Sequence, residues 1–147
     1  MDTMNNPALN TAARTILRVV VGFLFVAHGW QKFNEWTIAG TTAAFGDMGV
    51  PLADVTAPVV AGLELVGGIA LILGFLTRPV ALLLTLNMLG AMFLVHLSAG
   101  VFVANNGYEL VLLLGAAALA LALVGPGRVS LDHALFANRD SRVTVLA

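Results

Sequence analysis

The chain has 147 residues, of which 59% are hydrophobic and 10% charged, against roughly 45–50% and about 25% in average soluble proteins. Seven basic and eight acidic side chains, net charge −1, are too few to coat a soluble domain of this size, and they exclude the basic surface that nucleic acid requires. The absence of cysteine removes disulfides, thiol catalysis and cysteine-ligated clusters from this chain.

Four apolar windows come near the roughly 20 residues that cross about 30 Å of hydrocarbon as a helix. They cover residues 14–33, 57–76, 79–99 and 108–124. Turn chemistry separates them: Thr77-Arg78-Pro79, then Asn105-Asn106-Gly107, with Gly125-Pro126-Gly127 after the last. Runs such as residues 80–86 and 110–114 lack the apolar–polar alternation of a membrane barrel strand. Arg14 and Arg18 ahead of an apolar run also fit a cleaved leader, but no small-residue cleavage pattern follows, and its loss would leave three helices. The expected fold is all-α: a single integral membrane four-helix bundle spanning residues 1–147, with short tails.

The basic residues orient it. Arg14, Arg18, Arg78, Arg128, Arg139 and Arg142 fall on one side, and only Lys32 ends a span on the other. Both termini are therefore expected in the cytoplasm. The connection over residues 34–56 faces outward, and residues 37–48 within it are expected to form a short helix at the interface. Trp30 and Trp36 stand where an aromatic belt belongs.

Ionisable residues inside spans are costly and usually face the bundle interior. Five are candidates here: His28, Lys32, Glu64, His96 and Glu109. A rise of about 1.5 Å per residue puts His28 roughly 21 Å from the cytoplasmic end, Glu64 roughly 10 Å below the outer face and His96 roughly 27 Å from the inside. All five therefore fall in the outer part of the bundle. His28 and Lys32 share a helix face, and Arg14, Arg18, Val21 and Phe25 continue it inward. Glu64 stacks over Gly67 and Gly68, which permit close helix approach.

Plainer readings stand beside the functional one. Lys32 and Glu64 also read as a pair that merely holds two helices together. Glu109 also reads as a helix N-terminal charge favoured by the macrodipole. The Met88–Met92–His96 stripe would suit cuprous copper, and two histidines at similar depth would suit axial haem. Methionines at helical spacing are more often packing, and nothing in the sequence favours haem. Asn87, on the face opposite His96, is expected to hydrogen-bond another helix, and His133 to be solvated in the tail.

The pattern resembles the DoxX family of small four-helix membrane proteins. The carrying residues are His28-Gly29 with Lys32-Phe33, Phe45 with Met48-Gly49-Val50-Pro51, Gly62-Leu63-Glu64-Leu65-Val66-Gly67-Gly68, Leu71-Ile72-Leu73-Gly74, Thr77-Arg78, His96, Gly107 with Glu109, and Gly125-Pro126-Gly127-Arg128. The resemblance spans about residues 14–132. The family is named for a subunit associated with terminal quinol oxidase and thiosulfate:quinone oxidoreductase activity. Some members are described as partners in membrane-associated oxidoreductase complexes that protect against oxidative stress. The resemblance thus implies redox work in a bacterial or archaeal plasma (inner) membrane, with soluble or membrane redox enzymes as partners. Without cysteine, any thiol step would fall to such a partner.

The leading expectation is a quinone-linked oxidoreductase subunit. Glu64 and Glu109 would carry protons, His28 and His96 would hydrogen-bond the quinone carbonyls, and Lys32 would balance charge. The alternative is a scaffold without chemistry, since the chain holds no glycine-rich dinucleotide fingerprint, metal-ligand spacing or phosphate loop. Solute transport ranks last, because the inner half offers almost no buried polar residues. Gly115, Ala116, Ala117, Ala118, Ala120 and Ala122 provide small surfaces through which a homo-oligomer could form.

Overall fold

The computed structural model describes residues 6–136, and among them the chain is helical without strands. Helix α1 (Pro7–Asn34) leads through a short helix α2 (Thr37–Asp47) to α3 (Ala53–Leu73). Helix α4 (Thr77–Ala91) continues through a π turn (Met92–His96) and a 3-10 turn (Leu97–Ala99). A loop then leads to α5 (Glu109–Val124), and α6 (Leu131–Phe136) closes the described chain. The helix expected over residues 37–48 is α2, and Asn105-Asn106-Gly107 and Gly125-Pro126-Gly127 fall in breaks as expected.

α1 begins earlier than its apolar window. The Asn6 side-chain oxygen accepts from the amides of Ala8 (2.9 Å) and Leu9 (3.4 Å), and Pro7 takes the first helical position, where its missing N–H costs nothing. Among the described residues, three helices are long and apolar enough to cross a membrane: α1 with 28 residues, α3 with 21, and the 23-residue stretch Thr77–Ala99. α5 is equally apolar but has 16 residues, roughly 24 Å at helical rise.

The core draws on all four of these helices: Val21 and Phe25 from α1, Leu71 from α3, Ala81, Leu84 and Met88 from α4, and Leu114, Ala118 and Leu121 from α5. Glycine sets the α1–α3 distance. A methyl group at Gly68 would lie 2.6 Å from the Gly22 carbonyl oxygen, and one at Gly29 would lie 2.5 Å from the Leu65 nitrogen. The two backbones therefore touch at two levels, one of them through Gly68, as the Gly67-Gly68 pair led one to expect. On α5, Gly115 faces Met88 of α4 and Ala118 is fully buried, so these two small residues serve packing within the chain.

The start of α1, the α3–α4 turn, the end of α5 and α6 meet at one end of the bundle. Arg14 donates to the Val124 carbonyl (2.8 Å). Arg18, 2% exposed, donates to the carbonyls of Pro126 (3.2 Å) and Val129 (2.6 Å). Asp132, fully buried, accepts from the amides of Leu76 (2.7 Å) and Thr77 (2.9 Å) through its two oxygens. Leu76 is left-handed (φ 47°) and supplies no cap to α4, so a residue 55 positions downstream of Thr77 caps that helix instead. Asp132 also donates its own amide to the Gly74 carbonyl (2.8 Å) and lies close enough to interact electrostatically with Arg18.

This corrects the expectation of an inner half almost free of buried polar groups. Arg18, Thr77 and Asp132 are all buried at the end where the arginines gather, the end expected to be inner, and the reason given for ranking transport last falls away. His133 is exposed, as expected. Arg139 and Arg142 lie outside the described residues.

Candidate functional site

The polar centre of the bundle starts from α3. Its buried stripe is Ala57, Ala61, Glu64, Gly67, Gly68 and Leu71: five apolar or small residues around one carboxylate. Because α3 begins at Ala53 rather than at residue 57, Glu64 lies roughly 16 Å along it, near the helix midpoint and deeper than the sequence suggested. α1 reaches the same place through its own buried stripe, which ends Phe25, Gly29, Lys32. The Gly29–Leu65 backbone contact brings Lys32 and Glu64 within reach.

Lys32 Nζ donates to Glu64 Oε2 at 2.5 Å. Asn87 Nδ2, on α4, donates to Glu64 Oε1 at 3.1 Å. Lys32 is 8% exposed and Glu64 4%. Each carboxylate oxygen thus has a donor, and three helices meet on one side chain. Such a pair roughly offsets its own desolvation, but removing one partner strands the other charge at a cost of about 3–5 kcal/mol. α2 closes this end: the buried Thr41 hydroxyl lies 3.1 Å from the Lys32 carbonyl and 2.8 Å from that of Thr37.

The other three candidates hold local backbone. His28, half-buried, has Nδ1 2.8 Å from the Leu24 carbonyl. His96 has Nδ1 2.7 Å from the Asn106 carbonyl. A carbonyl only accepts, so Nδ1 carries the proton in both rings, and in a neutral ring Nε2 is left as an acceptor. Glu109 Oε1 accepts the Val103 amide at 2.6 Å. His96 and Glu109 therefore brace the loop between α4 and α5. Among the described residues, none of the three is hydrogen-bonded to Lys32, Glu64 or Asn87. Gln31, beside His28 in sequence, turns outward to Glu35.

Asn87 was foreseen as a hydrogen-bonding residue, but not as the second ligand of Glu64; an amide inside an apolar window was the available signal. Met88 belongs to the core, and the π turn takes His96 out of α-helical register with it. Among the described residues, no three His, Asp or Glu side chains are gathered as a metal-binding group would need.

Comparison with known proteins adds the relationship. The DoxX family model matches residues 13–97. The Bacillus subtilis protein named "Putative oxidoreductase CatD" is 36% identical over 126 residues, covering 86% of this chain and 89% of that protein. "Inner membrane protein YqjF" of Escherichia coli is 35% identical over 82% of this chain and 89% of its own length. "Uncharacterized membrane protein Rv3486" of Mycobacterium tuberculosis is 35% identical over 81% and 78%. No solved structure matches. The glycine-rich approach of α1 to α3, with Lys32 and Glu64 paired beside it, lies wholly within the matched residues, and the chain belongs to the DoxX family of membrane proteins.

Proposed function

We propose that this protein is a four-span subunit of the inner (plasma) membrane, with both termini cytoplasmic, that works in a quinone-linked oxidoreductase complex. The single observation behind it is the Lys32–Glu64–Asn87 group, an ion pair in an apolar bundle held from three helices. The name of the Bacillus subtilis relative supports redox work. The gathering of Arg14 and Arg18 with the α3–α4 turn and the 126–129 segment supports the orientation, since arginine collects on the cytoplasmic side. α5 completes the four spans with a short helix, which slight bilayer thinning accommodates.

The side chains present suit a quinol. A quinol supplies two electrons and two protons, and this chain's part is to receive protons and exclude water. Nε2 of His28 and of His96, each fixed as an acceptor by the carbonyl on Nδ1, would accept from a hydroxyl. Glu64 would take a proton only as its tie to Lys32 loosens, and Lys32 would then carry the surplus charge. Glu109 would pass a proton to the loop surface. The electron acceptor would be a soluble or membrane redox partner.

The scaffold reading has its own support. Both oxygens of Glu64 are satisfied within the protein, which is what a purely structural pair requires. Organic extraction of purified protein followed by mass spectrometry separates the two. Stoichiometric quinone in wild type, lost in Glu64→Ala, is expected, together with a fall in quinone-dependent turnover of about 100-fold or more in Glu64→Gln, the usual scale for a lost proton carrier. Absence of quinone from wild type would overturn the redox assignment in favour of the scaffold, and full turnover in Glu64→Gln would overturn the assignment of Glu64 as proton carrier.

A further inference from the structure

The arginine end carries a second feature that the redox reading does not use. A groove of about 760 Å³ runs between the first turns of α1 and the segment after α5. Its floor is Pro7, Ala8, Ala12 and Ile16, and Arg128 and Val129 form its other wall. Among the described residues, no acidic side chain lines it. Arg14 and Arg18, nearby, are both engaged by carbonyl oxygens, whereas Arg128 is exposed. Below the groove, the outer face of α1 continues as Ile16, Val20 and Phe23, which are 65%, 52% and 61% exposed and one turn apart along the helix.

We propose that this groove binds a phospholipid with an anionic headgroup: the phosphate on Arg128, one acyl chain along Ile16, Val20 and Phe23. A guanidinium donates to phosphate oxygens through two parallel N–H groups. The apolar floor gives a chain-bearing ligand what a free anion could not use. A zwitterionic headgroup would set its ammonium beside Arg128, so an anionic lipid is preferred. The level fits as well, since Gly127 packs against Arg14, where the first apolar window begins. The site rests on the membrane reading but is independent of any redox role.

Native mass spectrometry of the full-length protein in detergent tests it, with phosphatidylglycerol and phosphatidylethanolamine of identical chains as probes. Wild type should retain phosphatidylglycerol about fivefold better, the worth of one arginine beside an anionic headgroup. Arg128→Gln should lose that preference, and Arg78→Gln, at the same end but outside the groove, should keep it. Equal retention of the two lipids by wild type would overturn the proposal. So would an unchanged preference in Arg128→Gln, or an equal loss in Arg78→Gln, which would mean general charge attraction. Displacement by inorganic phosphate alone at matched concentration would identify a free-anion site and overturn the lipid assignment. A thermal unfolding curve of Arg128→Gln superimposing on wild type is expected alongside, so that any lost preference reports the groove and not the fold.

Discussion

Asp132→Ala should cost about 2–5 kcal/mol of stability, because two amides at the start of a helix would be left without their acceptor. The substitution removes the acceptors of two amides, Leu76 and Thr77, at the start of α4, and unpaired buried amides cost about 1–3 kcal/mol each. It also leaves the Arg18 guanidinium in a buried site with carbonyl partners but no neighbouring negative charge. Leu76 is left-handed and offers no side-chain replacement. Asp132→Asn keeps one acceptor oxygen and should fall between. Thermal unfolding in detergent, followed by circular dichroism, measures both variants. A value for Asp132→Ala within about 0.5 kcal/mol of wild type, the range of an ordinary surface substitution, would show that α6 contributes nothing to the turn.

Gly29→Val should be at least as severe, for a different reason. Any β-carbon there meets the Leu65 nitrogen at 2.5 Å and its α-carbon at 2.8 Å, and backbone atoms cannot rotate aside. α1 must move off α3, which also draws Lys32 from Glu64. Overpacking alone costs about 1–3 kcal/mol, and the broken ion pair adds to it. Gly62 and Gly90 supply internal controls, because a β-carbon at either meets nothing within 4 Å. Gly62→Ala and Gly90→Ala should be neutral or stabilising by up to about 1 kcal/mol through helix propensity. The same unfolding measurement ranks all three, and a Gly29→Val variant as stable as the two controls would show that the α1–α3 backbone contact does not constrain this position.

Much of the fold was legible because membrane helices announce themselves by long apolar runs. Of the stripe read from spacing, Arg18, Val21, Phe25 and Lys32 are buried, while Arg14 and His28 are half-buried. Lys32 and Glu64 were readable as partners because neither charge tolerates lipid alone. Of the five ionisable residues, Lys32 and Glu64 are hydrogen-bonded to each other and the other three to backbone, a division that depth estimates could not give because they say nothing about rotation around a helix. His28 turns to its own helix, while His96 and Glu109 answer to a loop whose path no periodicity describes. The start of α1 was missed although Asn6-Pro7 is a helix-opening pair, because the window was chosen for bilayer length rather than for capping. Asp132 was not singled out from the sequence. Its role depends on the left-handed Leu76 and on a contact across 55 residues, and local sequence carries no trace of either. The one available hint was an acid standing among the arginines of its own end.

The two charged residues buried in α1 have partners at very different distances along the chain. Lys32 is matched by Glu64, whereas Arg18, among the described residues, is hydrogen-bonded to the segment after α5. Synthesis runs from the N-terminus, so a nascent chain can close the lysine contact when its first two long helices have emerged. The arginine contact must wait until every helix of the bundle has been made. Until then Arg18 depends on headgroups, water or an insertion factor, and the segment after α5 is the one that locks the bundle shut.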